Sequence, residues 1–181
     1  ISKTQKTIIV ALFFGATTFG FAQETAKSSE TIANTVDQIQ TQNPAIEALK
    51  KKIEVNPNDT EAIVQLASAY QEVKDWNNAL ATWNKMSTLL PDWSPSYYSK
   101  AYVYQSMKDD DNAKASYEKY IATVKPEEVE ASKKNLGYAH FFVAYKLQES
   151  DKENAKQHIA KSLEYDPANE EAIKLNTVLN Q

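Results

Sequence analysis

His140 and His158 are the two residues best suited by type to move a proton or hold a metal ion. They fall on different predicted helices and lack the close H-x3-H spacing with which one helical face presents two imidazoles to a metal. Carboxylates could in principle join them, but the spacing reads as two surface or groove histidines. The run Asp109-Asp110-Asp111 has the acid density of a calcium-loop fragment. It lacks the glycine that bends such a loop and the glutamate that closes it, so it reads as a solvated turn starting a helix. Lys50-Lys51-Lys52 reads as a solvated helix face. Cysteine is absent, which removes thiol nucleophiles, zinc–thiolate sites and disulfides. There is no G-x-S-x-G, no H-E-x-x-H and no phosphate-cradling glycine loop. The residues therefore predict neither an enzyme nor a metal or cofactor protein.

The chain has 181 residues, 42% of them apolar, enough for one domain with a substantial core. Only three glycines occur, and Ala, Lys, Glu and Gln are abundant, a balance that favours helix over sheet. All 20 basic residues are lysines and the net charge is −4. Without guanidinium clamps, an acidic chain is poorly suited to nucleic acid.

Residues 1–22 obey different rules. Lys3 and Lys6 precede the apolar run Ile8 to Ala16, and Gly20-Phe21-Ala22 ends the segment. This is the layout of a secretory signal peptide cut after Ala22. The apolar run is short for a span of about 20 residues, so the expectation is cleavage rather than a retained anchor. Residues 23–181 would then be an exported protein, periplasmic or secreted and not stably inserted in a membrane, with 18 lysines against 24 acids.

The remainder repeats itself. Ile63, Leu66, Ala67 and Tyr70 stand at i, i+3, i+4 and i+7, one face of a helix. Beyond the turn Val73-Lys74-Asp75 come Ala79, Trp83 and Met86, and Pro91 closes the unit. Tyr97, Ala101, Tyr104, Ala113 and Tyr117 match Ile63, Ala67, Tyr70, Ala79 and Trp83 at a constant offset of 34, as Asp109 matches Asp75.

A 34-residue helix–turn–helix unit with these aromatic, alanine and proline positions resembles the tetratricopeptide repeat. Ile63 and Tyr97 stand in its tryptophan slot, Ala67 and Ala101 in its small-residue slot, and Tyr70 and Tyr104 at its tyrosine. Ala79 and Ala113 are the contact alanines, followed by the aromatics Trp83 and Tyr117.

Counting back 34 residues puts Ala45, Leu49 and Pro57 in register, so a degenerate unit occupies 23–59, its first helix carrying Ile32, Ala33 and Val36. Regular units span 60–93 and 94–127. The next, 128–168, is irregular: Tyr138, Phe141, Phe142 and Tyr145 repeat the face at an offset of 41, with extra residues around Pro126. Ala155, Ile159, Leu163 and Pro167 complete it. The tail 169–181 has Ile173 in the apolar slot and an otherwise polar pattern, which suits a capping helix. The expected fold is an all-α, right-handed α-solenoid of antiparallel helix pairs with a C-terminal cap.

The resemblance implies a concave groove lined by the first helix of each unit, holding a protein or peptide. The positions turned away from the core are Val64, Ser68 and Gln71, then Tyr98, Tyr102 and Gln105, then Ala139, Val143 and Lys146, with His140 beside them. Tyr98 and Tyr102 are the leading pair, since tyrosine combines a large ring with a hydroxyl; packing of both rings on the adjacent helix is the alternative. A lysine/arginine clamp for a partner's C-terminal carboxylate is not expected, because Val64, Ser68 and Ser99 occupy its positions. The second expectation is a structural, self-associating cell-envelope component, with Trp76 and Trp93 near turns available for homo-oligomer contacts.

Overall fold

Side chains that offer an oxygen to a free backbone N–H set where the helices begin. Asn43, Asp59, Asp75, Asp109, Asp151 and Asn169 each accept a backbone N–H from the first turn of the helix they precede. In the computed structural model, which describes residues 43–181, they open α1 (Pro44–Val55), α2 (Thr60–Glu72), α3 (Trp76–Leu89), α5 (Asp110–Thr123), α7 (Lys152–Tyr165) and α8 (Glu170–Leu179). Pro95 starts α4 (Pro95–Ser106), and a 3-10 turn, Pro126–Glu128, leads into α6 (Val129–Leu147). The proposed signal segment and the Ile32–Ala33–Val36 helix lie outside the described residues.

The turns inside the two regular units are alike to the atom. Lys74 and Lys108 take the left-handed conformation, with φ of 59° and 61°. Asp75 N–H donates to Tyr70 O and Asp109 N–H to Tyr104 O, both at 2.9 Å, the bond that closes a Schellman cap. In the irregular unit the extra turn residue removes the need for positive φ. There Asp151 N–H reaches Leu147 O at 2.8 Å by a helical bond.

The helices stack in chain order: α2 packs on α3, α4 on α5 and α6 on α7, with α3–α4 and α5–α6 joining successive pairs. Helix α1 covers one end through α2 and α8 the other through α7. Ala67, Ala79, Ala101, Ala113 and Ala155 are all fully buried where backbones come close. The core is a series of clusters, and the central one draws on α4, α5 and α6 together, so neighbouring pairs share it. This is an all-α solenoid of helix pairs.

Helix α6 runs 19 residues against 12 in α4, and its added length lies at its start. Close approach to α7 is possible because residue 137 is glycine: a Cβ there would meet the Asp166 Cβ at 3.0 Å. Ser162 Oγ donates to the Gly137 carbonyl across the same contact at 2.8 Å.

Three sequence expectations need correction. Ile173 is 46% exposed, and α8 packs instead through Ala172, Leu175 and Leu179. Tyr145, expected on the inner face of α6, is half exposed, while Ala139, His140, Val143 and Ala144 are buried. A helix packed on both sides buries more than one stripe, so its apolar period does not rank them. Ala45, the counterpart of buried Ala79, is exposed; α1 buries Ile46 alone.

Candidate protein-interaction surface

The first helices α2, α4 and α6 carry the residues expected to line a groove, and the structure divides them. Val64 joins the cluster of Ile63, Ala67 and Trp83, and Val143 and Ala139 are fully buried. Tyr98 is a core residue: its ring meets those of Tyr117 and Tyr120 edge-on, at 5.4 and 5.1 Å between centroids. Burial pushes its hydroxyl well above the usual tyrosine range, with Tyr138 and Tyr120 adding to the effect. These positions do not point to solvent, because each packs into a core cluster shared with neighbouring helices.

Gln71 and Gln105 are half-buried and already engaged. Gln71 Oε1 accepts the Trp83 indole N–H, and Gln105 Oε1 accepts the Tyr117 hydroxyl. Gln105 also donates to the Tyr138 hydroxyl at 3.0 Å, tying α4 to α6. Lys146 pairs with Asp110 at 3.2 Å, joining α6 to the start of α5. Both partners are partly solvated, so the pair adds at most about 1 kcal/mol.

His140 is buried, against the expectation of an open surface. Its Nδ1 lies 2.9 Å from the Nδ1 of His158 on α7, and its ring stacks on Tyr165 at 5.8 Å. Burial depresses the His140 pKa to about 4, aided by His158 and Lys161 and opposed by Glu164. Burial also lowers His158, with Glu118 opposing and Lys114 assisting. Both rings are therefore neutral at pH 7. The 18-residue separation gives no hint of this contact, since the end of α6, a turn and the start of α7 lie between them.

Ser68 and Tyr102 are partly exposed, as are Gln71, Gln105 and Lys146, and Tyr102 stands edge-on to Trp76 at 6.2 Å. Trp76 opens α3, so this aromatic contact spans two successive repeats. Along α6, Tyr138, Phe141 and Tyr145 succeed one another at 6.1 and 6.4 Å between centroids; Tyr138 and Phe141 pack against the core clusters, and Tyr145 alone is exposed. The i, i+3, i+7 spacing assigns all three to the core.

Relatives place the fold. The tetratricopeptide-repeat family profile matches residues 94–122, the second regular unit. Among solved structures, the C-terminal part of a TPR repeat-containing protein from Cytophaga hutchinsonii is 26% identical, with a TM-score of 0.64 over 81% of this chain and 61% of that one. MamA from Desulfovibrio magneticus RS-1 is 17% identical, with a TM-score of 0.59 over 86% and 85%. The N-terminal domain of stress-induced protein-1 from C. elegans is 23% identical, with a TM-score of 0.56 over 77% of this chain and all of that one. No curated protein matches the chain in sequence.

Proposed function

We propose, from the premise that this chain is a tetratricopeptide-repeat protein, that it is a scaffold holding a protein or peptide against its first helices. The observation that carries the reading is the Trp76–Tyr102 contact: two half-exposed aromatic rings at the junction of successive repeats. Rings with a polar edge give contact area at low entropic cost, and stacked helices present them with little further ordering. Ser68, one repeat before Tyr102 at the same offset of 34, extends that surface with a small residue. Tyr98 belongs to its support rather than to the contact.

The signal-peptide layout of residues 1–22 supports an encounter outside the cytoplasm. Among the described residues no helix is long and apolar enough to cross a membrane. Mass analysis of the protein from fractionated cells tests export: a chain beginning at Gln23 in the envelope or medium is expected, and an intact chain in the cytoplasm would overturn it.

The groove is tested by cross-linking in envelope extract with wild type and with Trp76→Ala/Tyr102→Ala. Loss of specific cross-linked partners is expected, while the same partners in the same yield would remove the reading. Self-association is the second reading, favoured by Ile173 and Val178, which stand 46% and 58% exposed on the terminal helix. A strict monomer across concentration in light scattering excludes it.

A further inference from the structure

Helices α6 and α7 bring together the only two histidines of the sequence, with their Nδ1 atoms 2.9 Å apart. In the metal-free protein one Nδ1 carries the hydrogen and the other accepts it. We propose that His140 and His158 form a two-point site for a late divalent first-row transition-metal ion, Cu2+ before Ni2+ or Zn2+, clamping α6 to α7.

The donor set selects the ion. Two neutral imidazole nitrogens suit borderline d-block cations, whereas calcium and magnesium demand oxygen ligands. Two bonds of about 2.05 Å to one ion hold their nitrogens about 2.9 Å apart at a right angle and about 3.3 Å apart at a tetrahedral one, so nitrogens already in contact are near the spacing of a shared ion. The 2.9 Å contact is an N–H···N hydrogen bond in the metal-free protein, and the preference for Cu2+ comes from its place at the head of the affinity order of divalent first-row ions. Rotation of the rings about χ2, a broad torsion in histidine, turns both lone pairs from each other toward a shared ion.

No proton is lost overall. The hydrogen on Nδ1 of one ring moves through solvent to its Nε2, and each ring then offers a bare Nδ1. Tyr165 stacks on His140, and His158 is only half-buried, which leaves a path for the ion. Among the described residues no group of three or more His, Asp or Glu completes a ligand set, so water fills the remaining positions. The charged neighbours are mixed: Glu164 and Glu118 favour a cation, and Lys161 and Lys114 oppose it. A site of two protein ligands is a modest binder, built to be loaded and released rather than to fold the protein.

The test is thermal unfolding of the untagged chain at neutral pH with Cu2+, Ni2+, Zn2+ or Mg2+ chloride. At about ten times its Kd, a bound ion raises the melting temperature by about 3–6 °C. Cu2+ and Ni2+ are expected to do so, Mg2+ not, and His158→Gln should abolish the shift. An equal shift in that variant, no shift with either ion, or a larger one with Zn2+ than with Cu2+ would overturn the site. If His158→Gln does not fold, the paramagnetic resonance spectrum of the copper-loaded wild type decides. Coupling to two imidazole nitrogens supports the site, and one or none removes it.

Discussion

Gln105 and Tyr117 are bound by a hydrogen bond that closes the second regular repeat on itself, from the end of α4 to the middle of α5. Gln71 and Trp83 make its counterpart 34 residues earlier, with an indole N–H in place of a hydroxyl. In the third unit the aromatic slot holds Ile159, which has nothing to donate. The residue in the glutamine's place, Lys146, turns to Asp110 instead. A polar residue at this position is therefore chosen by what its aromatic partner needs.

Removing the acceptor tests that dependence. Gln105→Leu leaves the Tyr117 hydroxyl without its acceptor and the Tyr138 hydroxyl without its donor, and should cost about 1–3 kcal/mol in urea unfolding. Adding Tyr117→Phe should return part of the loss, because one stranded hydroxyl goes with it. A double variant less stable than the sum of the two singles would contradict the pairing.

The left-handed turn residues offer the opposite sign. Lys108 sits at φ 61°, where a side chain is strained and glycine is not. Lys108→Gly should stabilise by about 1 kcal/mol, and Lys74→Gly likewise, a rise of about 2–4 °C each in melting temperature. At Lys85, inside α3, the same change should destabilise by about 1 kcal/mol.

Alkaline pH should find the aromatic core. Burial raises the hydroxyls of Tyr98 and Tyr117, and Tyr120 is pushed up to about 12. Since their folded pKa values exceed the unfolded value of about 10, the stability they confer is whole below pH 10 and falls as pH rises through 12. In ultraviolet titration the three buried rings should ionise together, coincident with loss of helical circular dichroism; their ionisation in a still-folded chain would refute it.

The acidic triplet divides by role. Asp109 accepts the Asn112 N–H at 3.3 Å and the Asn112 amide at 2.7 Å, so Asp109→Ala should lose about 1 kcal/mol as a helix cap. Asp111→Ala, exposed in the first turn, should change stability by about 0.5 kcal/mol or less. Calorimetry with calcium should show no heat that Asp109→Ala removes.

The repeat is legible in the sequence because packing at a fixed spacing demands the same residue type each time. Ala67 and Ala101, Ala79 and Ala113, and the turn aspartates are such positions, and each stands where its spacing places it. The lengthened start of α6 is equally plain, since Pro126 and two acids announce a helix start. The groove is not legible in the same way. One first-helix period places Val64, Tyr98 and Val143 outward, but the neighbouring pair decides whether outward means solvent or another core. Gln71 and Gln105 do carry a signal, since both recur with their aromatics at the same offset of 34. The His140–His158 contact carries none. It depends on how closely α6 settles on α7 at Gly137, and that is fixed by tertiary packing alone.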